Sequence, residues 1–309
     1  MAKVLICRIT MLTIFTIPKA FKGRIGRVQF NAIGSWLRLQ PACEVLLFGD
    51  EDGTAEAAAQ LGVRHIPGIE CSEHGTPLVS SAFHLAEKLS SHDLFCFVNA
   101  DIVLVSDFVR SLAHVEAKPF LVVGRRWDTD LEGAIDFNNP SWESKLLEHV
   151  HSNGVLHRPH GLDYFVFPRG LFEDMPPFVI GRVGWDNWMV LHARLSRVPV
   201  VDATRSITAI HQNHDYSHLP GGERTMRGGI EAQHNVKLLG GRYRAFDVRD
   251  ATHVLTPSGL RPAAGPARLL RRFAKSPELY PNLRLLVKMV LALRAVMDVL
   301  LRLRSKLRG

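Results

Sequence analysis

The residues best suited to chemistry in the first half of the sequence are Asn99, Ala100 and Asp101. They interrupt the apolar run DLFCFVNADIVLVS, whose aromatic and β-branched residues predict a buried strand just before them. A carboxylate at the carboxyl end of a central strand lies where open α/β sheets bind their ligands. Asp101 is therefore a candidate oxygen ligand for Mg²⁺ or Mn²⁺ that also holds a diphosphate. A strand-ending Asx turn made by Asn99 or Asp101 is the alternative.

Further polar residues stand at the ends of predicted elements in the second half of the chain. Asp163 precedes the short apolar run 164–167, and Asp186 lies between two tryptophans in GRVGWDNWMV, ahead of an apolar helix. His211 follows an alternating apolar stretch, so that its imidazole should emerge at a strand end, and His214 comes shortly after it. The alternatives are a helix N-cap for Asp186 and a histidine bonded to backbone in a wet loop for His211.

The elements that must position these residues alternate between strands and helices. Strands are predicted at TIFTIP, EVLLFG, VRHIP and FLVVG, and helices after the loop KAFKGRIG, at TAEAAAQLG and over residues 79–89. The strand at EVLLFG ends directly in an acidic turn, DEDG, over residues 50–53. Such alternation predicts an α/β fold with a mostly parallel central sheet and right-handed crossovers.

The net charge of +8 is unevenly distributed along the 309 residues. From Arg261 onward twelve Lys and Arg residues face two acids, whereas residues 1–260 are close to neutral. Because the body is not basic, we expect no nucleic acid among its partners. The four cysteines are scattered without a C-x-x-C pair, which is typical of a reducing compartment and indicates neither a zinc site nor a disulfide framework. We therefore expect a cytoplasmic protein.

The apolar N-terminal run, VLICRITMLTIFTIP, could be mistaken for a signal peptide. Arg8 interrupts the run and no small-residue cleavage site follows it, so we interpret it as the first strand. The run is long for one strand, and Met11 is therefore an alternative to Met1 as the start of the protein.

The C-terminal segment, residues 246–309, is predicted to be a basic linker followed by an amphipathic helix. Over residues 281–308, charged residues recur near helical period among Leu, Val and Met. A spanning helix would bury Lys288, Arg294 and Asp298, at a cost of about 2.5–3.5 kcal/mol each near the bilayer centre. The pattern favours a helix in the membrane interface, attracted to anionic lipid. Packing against the body or a partner is the alternative.

Several segments, taken together, resemble those of glycosyltransferases with the GT-A fold. They are Asn-Ala-Asp at a strand end, the strand and loop TIFTIPKAF, the acidic turn after the second strand, the downstream GWDN and the late AIHQNHDY. The resemblance extends from about Leu12 to Gly240. It implies a Rossmann-like catalytic domain over residues 1–245, with a donor half over about 1–125 and an acceptor half over about 126–245.

In GT-A enzymes a D-x-D motif binds the metal and the diphosphate of a nucleotide sugar. The resemblance implies this role for Asn99, Ala100 and Asp101, although Asn99 departs from the acidic first position. It also implies Mn²⁺ or Mg²⁺ held by Asp101 and His211, with His214 as the second choice of histidine. The donor contacts that it implies lie on the loops after the first two strands, at Thr16, Lys19, Asp50 and Asp52.

An inverting transferase needs a general base that takes the proton from the acceptor hydroxyl, a contribution of about 10²–10⁴-fold. By the resemblance, Asp186 is that base, flanked by tryptophans that could stack on a sugar face. Asp163 is the competing candidate, either as base or as a hydrogen-bond partner of sugar hydroxyls. A retaining enzyme needs no such base, so the inverting assignment depends on Asp186.

The sequence thus predicts a glycosyltransferase that moves a sugar from a nucleotide-sugar donor to a glycan or lipid-linked acceptor, as in polysaccharide biosynthesis. It would be metal-dependent and inverting, and would act at the inner face of a membrane. A sugar nucleotidyltransferase is one alternative, although its glycine-rich, basic phosphate loop has only a faint counterpart in KAFKGRIG. A non-catalytic, glycan-binding or scaffold relative is the other, and Asn99 in place of an acid favours it.

Overall fold

The computed structural model describes residues 12–116, 119–214, 222–241, 244–290 and 292. The chain divides into two compact units, Met1–Pro262 and Ala263–Gly309. The first unit contains both sheets and every candidate site residue. The question of Met1 or Met11 as the start, and the predicted tail helix beyond residue 292, lie outside the described residues.

Strands and helices alternate through the first part of the larger unit, as predicted. Their order is β1 (Leu12–Thr16), α1 (Gly23–Trp36), β2 (Glu44–Phe48), α2 (Thr54–Leu61), β3 (Arg64–Ile66), α3 (Val79–Leu89), β4 (Leu94–Val98), β5 (Ile102–Leu104), α4 (Asp107–Leu112), β6 (Leu121–Val123) and β7 (Arg126–Thr129). The alanine-rich helix α2 ends at Gly62, whose φ of 68° is the left-handed conformation that glycine adopts at helix ends.

Shorter elements follow in the second part of the chain. They are α5 (Trp142–Asn153), β8 (Val155–Leu156), β9 (Tyr164–Pro168), α6 (Trp185–Leu195), β10 (Val200–Asp202), β11 (Ala209–Gln212), α7 (Gly222–Gly228), α8 (Ile230–Leu239), β12 (His253–Thr256), β13 (Gly259–Pro262) and α9 (Pro266–Leu279). Short 3₁₀ turns occur at Val248–Asp250 and Pro281–Leu283. The central strands β9 and β10 are buried at almost every position, as expected of strands covered on both faces.

The central sheet has nine strands in the order β13-β12-β10-β6-β9-β4-β1-β2-β3. Neighbouring strands are parallel except around β9, which is antiparallel to β4 and β6, and at the edge strand β13. A second sheet has the order β5-β11-β7-β8, with β11 parallel to β7 and antiparallel to β5. The prediction of an α/β fold with a mostly parallel central sheet is confirmed.

The reversed direction of β9 decides which residues meet at the carboxyl edge of the central sheet. Because β9 is antiparallel to β4, its first residue lies beside the last residue of β4, and Tyr164 pairs with Val98. Asn99 and Asp163 continue this pairing, since the Asn99 N–H donates to the Asp163 carbonyl at 2.9 Å. Strand β1 is parallel to β4, which brings Thr16 to the same edge.

Aromatic side chains pack against one face of the strands that end at this edge. Phe15, Phe83, Phe97 and Phe167 are fully buried on one side of the sheet, and the centroids of contacting rings lie 5.0–6.3 Å apart. Successive side chains of a strand point to opposite faces, so the alternate residues pack on the other side with Trp36 of α1. Both faces of the strands that lead to the candidate site are therefore covered by packed side chains.

The central sheet extends beyond residue 245, where the catalytic domain was predicted to end. Strand β12 pairs with β10, and β13 folds back on β12 as a hairpin. The hairpin turn uses Gly259 at a φ of 98°, and Leu255 of β12 is buried. Residues 253–262 therefore belong to the central sheet and not to a linker. The sheet thus ends beyond the predicted domain boundary at residue 245.

The smaller unit presents apolar side chains to solvent. Seven large ones are more than a third exposed: Leu269, Leu270, Tyr280, Leu285, Leu286, Met289 and Val290. The described residues include no helix with both the length and the apolar character that a membrane span requires.

Candidate metal and donor site

Asp101, His211 and His214 converge at the carboxyl edge of β4. Asp101 lies in the turn between β4 and β5, and the antiparallel pairing of β11 with β5 sets His211 opposite Ile102. One ligand atom from each of the three side chains lies within 4.8 Å of the other two. His214 Nε2 is 3.0 Å from Asp101 Oδ2, and His211 Nε2 is 3.8 Å from the same oxygen. The fold thus brings together the carboxylate and both histidines singled out in the sequence.

The surroundings of Asp101 favour its ionised form, and one of its oxygens has no partner among the described residues. Burial by itself would raise its pKa, but the hydrogen bond from His214 and the charges of His211 and Lys19 hold the pKa well below its usual range. Asp101 Oδ1 is buried and has no hydrogen-bond partner among the described residues. An unpartnered carboxylate oxygen beside two imidazoles suits Mn²⁺ and accommodates Mg²⁺. The residues present therefore fit a divalent cation.

Lys19 brings a positive charge to this edge from the loop after β1. Its backbone N–H donates to Gln29 Oε1 at 2.7 Å, and Gln29 Nε2 donates to the Lys19 carbonyl at 2.8 Å. These two bonds fix the loop against helix α1. Burial lowers the pKa of Lys19, while the charges of Asp101 and Asp163 raise it. An ammonium group in this position is suited to bind a phosphate.

Asn99 orients Asp163 instead of adding a second acid to the cation site. Asp163 Oδ1 accepts hydrogen bonds from Asn99 Nδ2 at 2.8 Å and from Arg126 Nη1 at 2.7 Å. The other oxygen, Oδ2, is buried and has no partner in the described part of the chain. Ala100, which lies between Asn99 and Asp101 in the chain, is buried and adds no polar group to the site. The departure of Asn99 from an acid thus has a physical reason, since an amide can donate to Asp163.

Asn99→Asp should lower the Tm although it restores the acid of a D-x-D motif. The new carboxylate would face Asp163 Oδ1, so that repulsion replaces the hydrogen bond. Losing this partly buried hydrogen bond to the buried Asp163 costs about 1–3 kcal/mol, which corresponds to several degrees in Tm. Thermal denaturation measures the change, and Asn138→Asp at an exposed loop position is the matched control. An unchanged Tm would show that Asn99 does not hold Asp163.

Asp186 lies in the first turn of α6, after the N-cap residue Gly184. Asp186 is therefore not the N-cap residue itself, although its carboxylate accepts hydrogen bonds from backbone N–H groups at the start of the helix. The Gly184 N–H donates to Asp186 Oδ1 at 3.3 Å. Burial, together with the nearby charge of Asp163, raises the pKa of Asp186 to about 7 against the lowering effect of backbone N–H groups. A carboxylate with this pKa can accept a proton close to neutral pH.

The tryptophans beside Asp186 have a structural role. Trp185 is buried, and its ring packs on Phe97 and Phe165 with centroid distances of 5.1 and 5.4 Å. Trp188 stacks on His192 at 4.6 Å. The expectation that both rings could stack on a sugar is therefore wrong for Trp185, because an apolar core fills its surroundings.

Of the remaining predicted donor residues, Thr16 lies at the carboxyl edge of the sheet, whereas the acidic turn lies further out. Thr16 is buried at the end of β1, and its Oγ1 has no hydrogen-bond partner among the described residues. Asp50 and Asp52 are exposed on the turn after β2, where Asp52 pairs with Lys22. Within the described chain, no hydrogen bond or ion pair joins either acid to Asp101. The fold thus brings Thr16 and Lys19 to the edge with Asp101 and leaves the acidic turn at the surface.

Sequence reasoning did not single out Asp128 or His157. Asp128 Oδ1 accepts from Arg126 Nε at 2.8 Å, and Oδ2 lies 2.5 Å from His157 Nδ1. Burial would raise the pKa of Asp128, but His211, Arg126 and His157 hold it well below its usual range. The one signal in the sequence is the spacing of Arg126 and Asp128, which places both on one face of a strand. That spacing does not indicate which residues Arg126 and Asp128 contact.

The sequence matches no protein-family model and no curated protein. Its fold is similar to that of several solved transferases. TarS from S. aureus is 13% identical over 66% of this chain, with a TM-score of 0.44, and this chain spans 37% of the length of TarS. A mannosyltransferase from Pyrobaculum calidifontis, solved with GDP-Man and Mn²⁺, is 12% identical with a TM-score of 0.47, and the match covers 94% of this chain and 81% of that one.

A third similar structure is glucosyl-3-phosphoglycerate synthase from Mycobacterium tuberculosis, in complex with Mn²⁺, UDP and glucosyl-3-phosphoglycerate. It is 14% identical with a TM-score of 0.42, and the match covers 76% of this chain and 80% of that one. In fold, the chain is similar to solved glycosyltransferases, the family that its sequence motifs resemble.

Proposed function

We propose that the protein is a divalent-metal-dependent glycosyltransferase that uses a nucleotide-sugar donor. The observation that carries the proposal is the convergence of Asp101, His211 and His214 with the cation Lys19 at the carboxyl edge of the central sheet. A bound Mn²⁺ or Mg²⁺ would stabilise the negative charge that develops on the departing nucleoside diphosphate. Asp101 and the two histidines would hold that ion, because Asp101 Oδ1 is buried without another partner among the described residues.

The donor is proposed to bind along the ends of β1, β2 and β4. Lys19 would contact a phosphate, and the buried hydroxyl of Thr16 would contact a polar atom of the donor, since no described residue satisfies it. Asp50 and Asp52 would hydrogen-bond the base or the ribose from the exposed turn after β2. Binding of nucleoside diphosphates with and without Mn²⁺ would identify the nucleotide part of this donor.

Asp186 is proposed to act as the general base in an inverting reaction. Its pKa of about 7 allows it to take the proton from the acceptor hydroxyl as that hydroxyl attacks the anomeric carbon. Asp163 would instead orient a sugar hydroxyl through its unpartnered Oδ2, because Arg126 and Asn99 already engage Oδ1. The two acids then have separate roles, one in proton transfer and one in binding.

The acceptor is proposed to be a glycan or a lipid-linked sugar at the cytoplasmic face of a membrane. In support, residues 284–290 are helical and carry exposed apolar side chains at Leu285, Leu286 and Met289. The basic excess of the tail would add about 1 kcal/mol of attraction to anionic lipid for each basic residue near the surface. The smaller unit would therefore hold the enzyme at the membrane interface.

Leu285→Ser combined with Leu286→Ser should weaken sedimentation of the intact chain with anionic vesicles. Both side chains are more than half exposed, so the change should leave the fold intact. Less apolar surface would then enter the interface. Vesicles of phosphatidylglycerol are compared with phosphatidylcholine vesicles at low and high salt. Equal sedimentation of the double variant and the wild type would contradict the membrane proposal for this segment.

Hydrolysis of nucleotide sugars in the absence of an acceptor tests the proposed reaction class. A glycosyltransferase should slowly release the nucleoside diphosphate, because water replaces the acceptor. A sugar nucleotidyltransferase would release pyrophosphate from a nucleoside triphosphate and a sugar phosphate. Release of neither product with any donor and either metal ion would contradict an enzymatic function and favour the non-catalytic alternative.

A further inference from the structure

We propose that Asp128 positions His211 as a metal ligand, by fixing the imidazole in the tautomer whose Nε2 is free to bind the cation. This inference rests on the proposed cation site. Strands β7 and β11 are parallel, and their register sets Asp128 beside His211. His211 Nδ1 lies 3.2 Å from Asp128 Oδ1, whereas Nε2 lies on the side of Asp101, 3.8 Å from its Oδ2. The ring thus stands between two carboxylates, with one nitrogen toward each.

The contact with Asp128 bears on which nitrogen of the His211 ring carries the proton. A neutral imidazole has one N–H, and the partner of one nitrogen determines which nitrogen carries it. An ionised carboxylate can only accept. Asp128 Oδ1 lies 3.2 Å from Nδ1, whereas Asp101 Oδ2 lies 3.8 Å from Nε2, beyond hydrogen-bond distance, so Asp128 favours the Nδ1–H form of His211. Nε2 then presents a lone pair toward Asp101 and His214. Nδ1 is buried and makes no hydrogen bond within the described residues, and Asp128 Oδ1, at 3.2 Å, is the acceptor that lies beside it.

Asp128 is itself held on two sides, which lets it hold His211. Arg126 Nε donates to its Oδ1 at 2.8 Å, and His157 Nδ1 lies 2.5 Å from its Oδ2. A carboxylate bonded at both oxygens cannot rotate without losing one of these contacts. Arg126 also donates to Asp163 at 2.7 Å. The Arg126 guanidinium therefore binds both Asp128, which lies beside His211, and Asp163, the acid proposed to bind a sugar hydroxyl.

A purely structural role for Asp128 would make different predictions. In that case the carboxylate would only neutralise Arg126 and join β7 to β11, and its loss would affect Tm but not the protonation pattern of His211. The positioning role predicts a change in the tautomer of one identified imidazole. It also predicts that the affinity for a divalent cation falls in a folded protein. Carboxylates that support metal-binding histidines typically contribute about 10–100-fold to metal affinity.

The first measurement is the affinity of the full-length protein for Mn²⁺ alone, by electron paramagnetic resonance of the free ion. We expect Asp128→Ala to weaken binding by about 10–100-fold, and Asp128→Asn to weaken it less, because the amide oxygen can still accept from Nδ1–H. Asp130→Asn, at an exposed position two residues along the chain, is the matched control and should bind as the wild type does. Wild-type affinity in folded Asp128→Ala would overturn the proposal.

The second measurement is nitrogen NMR of the imidazoles in metal-free protein, with His211→Gln to assign the signal. The wild type should show His211 protonated at Nδ1, and Asp128→Ala should shift it toward the Nε2–H form. Weaker Mn²⁺ binding without any tautomer change would overturn the positioning role. If Asp128→Ala does not fold, Asp128→Leu, whose side chain is larger and cannot accept a hydrogen bond, decides by the same criteria.

These readouts separate the inference from the proposed function. If the wild type binds Mn²⁺ and the tautomer depends on Asp128, the inference holds even if no sugar is transferred. A wild type without affinity for Mn²⁺ would overturn both the cation site and the role of Asp128 beside it.

Discussion

Asp186→Asn should reduce sugar transfer by about 10²–10⁴-fold, because the amide cannot take the proton of the acceptor hydroxyl. Binding of the nucleoside diphosphate should be unchanged, since the proposed donor contacts do not include Asp186. Initial rates of transfer and the affinity for the nucleotide measure the two effects. Asp174→Asn, at an exposed position, is the matched control and should retain the wild-type rate. A rate near that of the wild type in Asp186→Asn would exclude Asp186 as the base and favour a retaining mechanism.

The pH dependence of the wild type tests the same assignment. Asp186 acts as a base only when it is ionised, and burial raises its pKa to about 7. We therefore expect kcat/KM to fall as the pH drops below about 7, with a single ionisation in the free enzyme. A rate that stayed constant from neutral pH down to pH 5 would contradict this role.

The stability of Asp186→Asn should change in the opposite sense to its activity. The carboxyl has a pKa of 3.8 in its ordinary state and about 7 in the folded protein, so folding favours the protonated form. Between these two values, the wild type loses stability as the pH rises, because the unfolded chain ionises first. The variant lacks this loss, and its Tm should exceed that of the wild type by a margin that grows up to about pH 7. A lower Tm at alkaline pH would contradict the raised pKa of Asp186 in the folded protein.

Asp101→Ala should abolish the metal-dependent binding of a nucleoside diphosphate and lower transfer by about 10²–10³-fold, the usual effect of removing one electrostatic contact to the leaving group. The variant removes the single carboxylate from the three candidate ligands. The measurement is the rise in Tm caused by UDP, GDP, dTDP or CDP, each with and without Mn²⁺. A ligand that binds only the folded protein raises the Tm by mass action, so the nucleotide that acts on the wild type identifies the donor class.

Asp101→Ala also removes the negative charge that faces Lys19, His211 and His214, which by itself should change the Tm of the ligand-free protein. The Tm of each ligand-free protein is therefore its own reference. The change in Tm upon adding ligand is therefore the quantity to compare. Asp174→Ala at an exposed position should respond as the wild type does. An equal metal-dependent shift in Asp101→Ala would show that the cation binds elsewhere. No shift with any nucleotide in the wild type would contradict the donor site itself.

Local patterns in the sequence determined the elements of the fold. Apolar runs bounded by Gly, Pro and acids predicted β1, β2 and β4, and the alanine-rich stretch with its glycine cap predicted α2. These signals are local, since strand formation, helix formation and capping depend on a few neighbouring residues. The sequence did not show where the central sheet ends. The hairpin of β12 and β13 was assigned to a linker, because its short strands lie close to a basic, apolar tail.

The sequence by itself also determined which residue types could hold a cation. Asp101 and His211 stood out because each follows an apolar run in the sequence, although the structure places His211 within β11. Whether Asp101 and His211 lie close together depends on the order of the strands. The pairing of β11 with β5 brings the two residues together. The sequence contained the candidate ligands, and the pairing of strands in the second sheet determined the distance between them.

Only the tertiary structure decided what supports those ligands. Asp128 lies beside His211 because β7 and β11 are parallel neighbours, although the two residues are far apart in the chain. Asp163 meets Asn99 because β9 runs antiparallel to β4, which explains why an amide occupies the position of an acid. Trp185 is in the core because α6 packs it on Phe97. Such contacts arise from strand order and direction, which local sequence patterns do not encode.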